Sequence, residues 1–109
     1  MKAIIALAAL AATPVVAAST QTFSAAIQPG QVHEECTKMD KGEARRYEWK
    51  SDAAVDFNIH YHEGKEIFYP VKKDAVKKAA GTFRAKTAQE YCWMWTSKSP
   101  ATIDGKVEK

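Results

Sequence analysis

Apolar and polar residues alternate along most of the chain after Thr20, with a period of two rather than 3.6. The cleanest run is Val55 to His62. Val55, Phe57, Ile59 and Tyr61 take one face, and Asp56, Asn58, His60 and His62 take the other. Arg45 to Lys50 alternates in the same way, with Arg45, Tyr47 and Trp49 opposite Arg46, Glu48 and Lys50. Further strands are predicted at Thr22–Ile27, closed by Pro29-Gly30, and at Val32–Met39, closed by Asp40-Lys41-Gly42. Ser51-Asp52 reads as a break, and Glu63-Gly64-Lys65 as the turn of a hairpin leading into Glu66–Val71. Pro70 has no amide hydrogen, so that strand lies at an edge or ends there. Thr82–Ala85, Glu90–Thr96 and a weaker Thr102–Val107 complete the set. Lys72 to Ala80 stands apart and predicts a short lysine-rich helix stopped by Gly81. Seven or eight short strands imply an all-β fold, a small antiparallel β-sandwich of two layers.

The first residues obey a different rule. Met1-Lys2 supplies a positive charge, Ala3 to Val16 is apolar and uncharged, and Val16-Ala17-Ala18 ends the run with small residues. A helix needs about 20 such residues to span a bilayer. The pattern is that of a signal peptide over 1–18, cleaved after Ala18, which leaves one domain over 19–109 in the periplasm or outside the cell. No second apolar run follows, so no transmembrane anchor is expected after cleavage. Removing Lys2 lowers the formal net charge from +3 to +2, which names no partner.

Export changes how the cysteines are read. Cys36 and Cys92 are the only two, and outside the cytoplasm such a pair forms a disulfide. Closing so long a loop is worth about 4 kcal/mol in the chain-entropy model, and a domain this small has little core to spare.

Four groups of residues are candidates for chemistry. His60-Tyr61-His62 with Glu66 reads as H-x-H-x3-E, the first metal motif of cupins. The two histidines share a strand face about 7 Å apart, a spacing that suits one divalent transition metal. The flanking glycines and the second cupin motif are absent, so solvated histidines are the alternative. Tyr91, Trp93 and Trp95 alternate with Cys92 and Met94. If Cys92 points inward to reach Cys36, the three aromatics form an exposed ligand platform. If the disulfide sits at the sandwich edge, they belong to the core. Lys72, Lys73, Lys77 and Lys78 form the densest positive charge, broken by Asp74. No aromatic is interleaved, so nucleic acid is not an expected partner. Ser51, Ser97 and Ser99 lack the glycines of a nucleophile elbow, and no carboxylate pair stands out.

The order of landmarks is similar to that of a GOLD domain. These are Cys36, Lys41-Gly42, Phe57-Asn58-Ile59-His60-Tyr61-His62, Gly81-Thr82-Phe83 and Gln89-Glu90-Tyr91-Cys92-Trp93-Met94-Trp95. The closing Tyr-x-Cys-aromatic motif of that family appears as Tyr91-Cys92-Trp93, without the intervening residue. The resemblance covers Val32 to about Thr96 and implies a β-sandwich that binds proteins or lipids without catalysis or a cofactor. The anchor, coiled coil and sorting tail of the eukaryotic cargo receptors are missing, which implies a stand-alone, secreted, bacterial version. The expected function is an exported, non-catalytic binding or structural module for a protein, glycan or envelope component. The alternative is a metal-binding protein or small metal-dependent enzyme built on His60, His62 and Glu66.

Overall fold

A computed structural model describes residues 20–109. The segment 1–18 read as a signal peptide lies outside the described residues. Six strands follow one another: β1 (Thr20–Ile27), β2 (Val32–Met39), β3 (Ala44–Glu63), β4 (Glu66–Arg84), β5 (Gln89–Thr96) and β6 (Ala101–Glu108). All pair antiparallel in a single curled sheet. No helix among the described residues is long and apolar enough to cross a membrane.

The architecture is organised by the long β3–β4 hairpin. β4 follows one edge of β3 from Ala44–Arg84 to Glu63–Glu66. The other edge of β3 changes partner midway. Arg46–Ser51 pairs with β6, which carries β1, and Asp56–His60 pairs with β5, which carries β2. The exchange falls at Ser51–Val55, where β3 has more residues than β4 opposite it. Such an excess kinks a strand, and local side chains hold the kink. The Ser51 hydroxyl accepts from the Ala53 amide at 3.2 Å, and Asp52 accepts from the Thr102 amide at 2.8 Å. The Ser51-Asp52 break is therefore a bend within one continuous strand.

The bend folds one arm of the sheet onto the other, and the inward faces meet in an aromatic core. Tyr47 and Trp49 of the first arm lie 5.8 and 5.2 Å, centroid to centroid, from Phe57 of the second. Phe23 of β1 packs on Trp95 of β5 at 4.7 Å, and Phe83 of β4 on Tyr91 at 4.9 Å. Gly105 permits this closure. A Cβ there would come within 2.6 Å of Trp49 and 2.8 Å of the Phe23 ring. The two end strands meet without backbone pairing, through Phe23 against His33 and the Gln21 amide reaching Glu35. The two-layer sandwich thus exists as one sheet curled on itself, closed by the Cys36–Cys92 disulfide between β2 and β5.

Two expectations are corrected. The eight predicted segments become six strands, because Arg45–Lys50 joins Val55–His62 and Glu66–Val71 joins Thr82–Ala85. The predicted helix at Lys72–Ala80 is the middle of β4. Pairing with β3 overrides a weak local preference there, and Val71, Val76 and Ala79 contribute to the core. Val71 and Val76 lose period two because one of the two bulges in β4 falls between them. One has Ala75 in the left-handed region at φ 54°, its amide bonded to Asp56 at 2.9 Å. The other lies at Tyr69-Pro70, where a missing amide hydrogen costs no ladder bond.

Candidate functional site

The second arm, β3–β5–β2, carries different chemistry on its two faces. Inward point Val55, Phe57 and Ile59 with Tyr91, Trp93 and Trp95, all fully buried. The aromatic row is therefore core, and the exposed platform proposed for Tyr91, Trp93 and Trp95 is corrected. The reason is the disulfide. Cys36 and Cys92 are direct partners in the β2–β5 ladder, so the bond closes on the outer face without crossing the core. Alternation then sends Tyr91 and Trp93 inward.

Around the disulfide the outer face gathers polar side chains. His60 is the partner of Cys92, Asn58 is the partner of Met94, and Glu34 lies opposite Met94 on β2. His60 is only 4% exposed, so it is not a solvated histidine of an open polar face. Its Nδ1 lies 2.8 Å from the Asn58 amide oxygen. Its Nε2 lies 3.3 Å from the Glu34 carboxylate. The Tyr69 ring packs on it at 5.9 Å, and His62 at 5.2 Å. Burial pushes the His60 pKa below the ordinary imidazole value, with His62 adding to the effect and the Glu34 carboxylate opposing it.

The structure brings two of the three H-x-H-x3-E residues together. His60 and His62 share the outer face. Glu66 pairs with Glu63, one step beyond the His62–Ile67 pair, so it leaves from the opposite side of the hairpin. Glu34 replaces it. Ligand atoms of Glu34, His60 and Cys92 lie within 4.8 Å of one another, but the Cys92 sulfur is held in the disulfide. Lys72, Lys73, Lys77 and Lys78 are exposed along β4 rather than clustered on one helix face. Lysines on an edge strand oppose strand-to-strand association.

Beyond the arm, the β3–β4 hairpin continues past its neighbours to the Gly64-Lys65 turn. Gly64 takes φ 62°, as the first central position of a two-residue hairpin turn requires. Here Ile67, Phe68 and Tyr69 are 44%, 36% and 46% exposed. Phe68 stacks on Tyr61 at 5.2 Å, while Ile67 lies beside His62 on the other side. The hairpin end thus shows apolar side chains on both faces, next to the His60 cluster. A groove of about 750 Å³ lies elsewhere, on the outside of the first arm. It is lined by Thr22, Ala80 and charged residues such as Glu48 and Lys106, which pair with each other at 3.5 Å.

Neither Glu34 nor the hairpin end is evident from local sequence pattern. Glu34 is two strands from His60, and only the β2–β5 register reveals it. Taking the disulfide as a cross-strand pair would have supplied that register. Ile67-Phe68-Tyr69 did carry a signal. Three large apolar residues in succession cannot all face one core at period two.

No family model and no curated protein matches this chain. Its fold places it among small all-β proteins. The Aeromonas hydrophila PliG, a periplasmic lysozyme inhibitor of g-type lysozyme, superposes with a TM-score of 0.57 at 9% identity, over 89% of this chain and 91% of that one. The Yersinia pseudotuberculosis-derived mitogen superposes with a TM-score of 0.52 at 12% identity, over 84% and 86%. At such identities the likeness is one of fold.

Proposed function

We propose that this chain is an exported, non-catalytic binding module that docks a protein partner through the end of its β3–β4 hairpin. The observation that carries the reading is the exposure of three successive large apolar residues, Ile67, Phe68 and Tyr69, at the tip of the hairpin. Exposed apolar clusters mark interaction sites, and a patch held by a rigid hairpin loses little entropy on binding. The disulfide favours a location outside the cytoplasm. A GOLD-like module would serve the same kind of role.

The hydroxyl and imidazole groups support the non-catalytic part. Ser97 is engaged with the backbone of Ser99 and Ala54, and His33 with Glu35 at 2.8 Å. Neither contact pairs a hydroxyl nucleophile with a histidine base. Likeness of fold to PliG makes a g-type lysozyme the first partner to try. Lytic activity should fall on adding the wild-type protein. The double variant Phe68→Ser with Tyr69→Ser should no longer inhibit while keeping its melting temperature. Inhibition undiminished in that variant would contradict the docking site, and no inhibition by wild type would remove lysozyme as the partner.

A further inference from the structure

We propose that His60, His62 and Glu34 form a binding site for a divalent transition metal, zinc or copper, on the outer face beside the disulfide. The proposal is independent of the docking reading, since none of Ile67, Phe68 and Tyr69 offers a metal ligand of this kind.

Two ligand atoms already stand at the separation that one metal ion sets. Nε2 of His60 and Oε2 of Glu34 are 3.3 Å apart. Bonds of ~2.0–2.2 Å to one tetrahedral zinc put a nitrogen and an oxygen ligand about 3.3 Å from each other. A direct, charge-assisted hydrogen bond draws such atoms closer, to about 2.7–2.9 Å. The His33–Glu35 pair of the same protein shows that closer geometry, at 2.8 Å.

The His60 ring is also oriented for coordination. The Asn58 oxygen accepts from Nδ1–H of His60 at 2.8 Å. The proton is thereby placed on Nδ1, and the Nε2 lone pair faces the Glu34 carboxylate. Two acceptors facing each other, on an imidazole only 5% exposed and a carboxylate 41% exposed, are unfavourable without a cation between them. A polar partner on the far nitrogen is the arrangement that fixes metal-bound histidines.

A further ligand is close by. His62 follows on the same face, its ring centroid 5.2 Å from that of His60, and it is exposed, so its ring can turn toward the ion. Two imidazoles and one carboxylate suit zinc or copper(II). Calcium and magnesium demand more oxygen ligands than Glu34 supplies. With three protein ligands, one coordination position is left for water or a partner's side chain.

The test uses the full exported chain made without a histidine tag, stripped with chelator and titrated calorimetrically with zinc chloride and with copper sulfate. One ion per chain is expected. His62→Gln and Glu34→Gln alter exposed groups and should fold normally, and each should weaken binding about tenfold or more. His33→Gln should leave binding unchanged. Electron paramagnetic resonance of the copper form should show nitrogen coupling from two imidazoles in the wild type and from one in His62→Gln. Absence of saturable 1:1 binding overturns the proposal. So does binding that survives both His62→Gln and Glu34→Gln, or that disappears with His33→Gln. If calorimetry detects no ion and nuclear magnetic resonance shows His60 doubly protonated in the chelator-treated protein, a proton fills the gap and the site is an ion pair.

Discussion

The two faces of the β3–β5–β2 arm are built from the same strands and end up in opposite roles. Inward, Phe57, Ile59, Trp93 and Trp95 interlock with the rings of the other arm. Outward, Asn58, His60, Glu34 and the disulfide lie against each other, with Met94, His62 and Tyr69 beside them. Both faces of β3 are buried from Phe57 to His60, yet burial has different causes. The inner face gains from apolar area. The outer face buries polar groups that stay paired, which offers little net stability and is costly to disrupt. A polar cluster around a buried histidine, beside an exposed apolar tip, is what a binding surface needs and a core does not.

The comparison is broken most severely from inside. Phe57→Ala removes a ring in contact with Tyr47, Trp49 and Trp95 and should cost about 3–5 kcal/mol in guanidinium melts. A loss below 1 kcal/mol would mean that the arms do not pack as described. Replacing both Cys36 and Cys92 by Ser tests the staple between β2 and β5 on the outer face. Melting with and without reductant should show a loss of about 2–5 kcal/mol in the wild type alone.

On the outer face, Asn58→Ala strands Nδ1–H of a buried histidine. A loss of about 1–3 kcal/mol is expected, more than a solvent-facing asparagine would give. Ala75→Gly works in the opposite direction. A left-handed residue with a Cβ is strained, so glycine at φ 54° should stabilise by about 1 kcal/mol. An unchanged or lower midpoint would remove that bulge geometry.

The smallest effect is in pH. The folded-state pKa of His60 is lowered by burial, so around pH 6 the native chain binds fewer protons than the unfolded one. The stability that neutral His60 contributes is present above the ordinary imidazole value of about 6.5. It declines as the pH falls through that value, and is lost below the folded pKa. Denaturant midpoints measured in chelator between pH 7.5 and about 5 should therefore fall more steeply in the wild type than in His60→Gln. Equal slopes would show that His60 is solvated.

The inner face was legible in the sequence because a half-buried strand must alternate, and Val55–Tyr61 and Arg45–Trp49 do so without a slip. Tyr61 departs only in degree, being partly buried at the rim. What escaped the sequence is non-local. A strand carrying the bulges at Tyr69-Pro70 and Asp74-Ala75 loses its period, so Lys72–Ala80 resembled a helix until β3 was placed beside it. The outer cluster depends on register across three strands, which no single strand encodes, and so Glu66 stood in for Glu34. The histidines were visible as a motif, but the burial of His60 was not, because Tyr69 covers it from a strand that bends at a proline.

Hydrogen exchange of the wild-type chain, free and mixed with a g-type lysozyme, tests the central claim most directly, because it maps the docking surface without any substitution. The account predicts new protection at the amides of Ile67, Phe68 and Tyr69 and at the Gly64-Lys65 turn, with β1 and β6 unchanged. Protection confined to β1 and β6, or to the groove around Glu48 and Lys106, would contradict it.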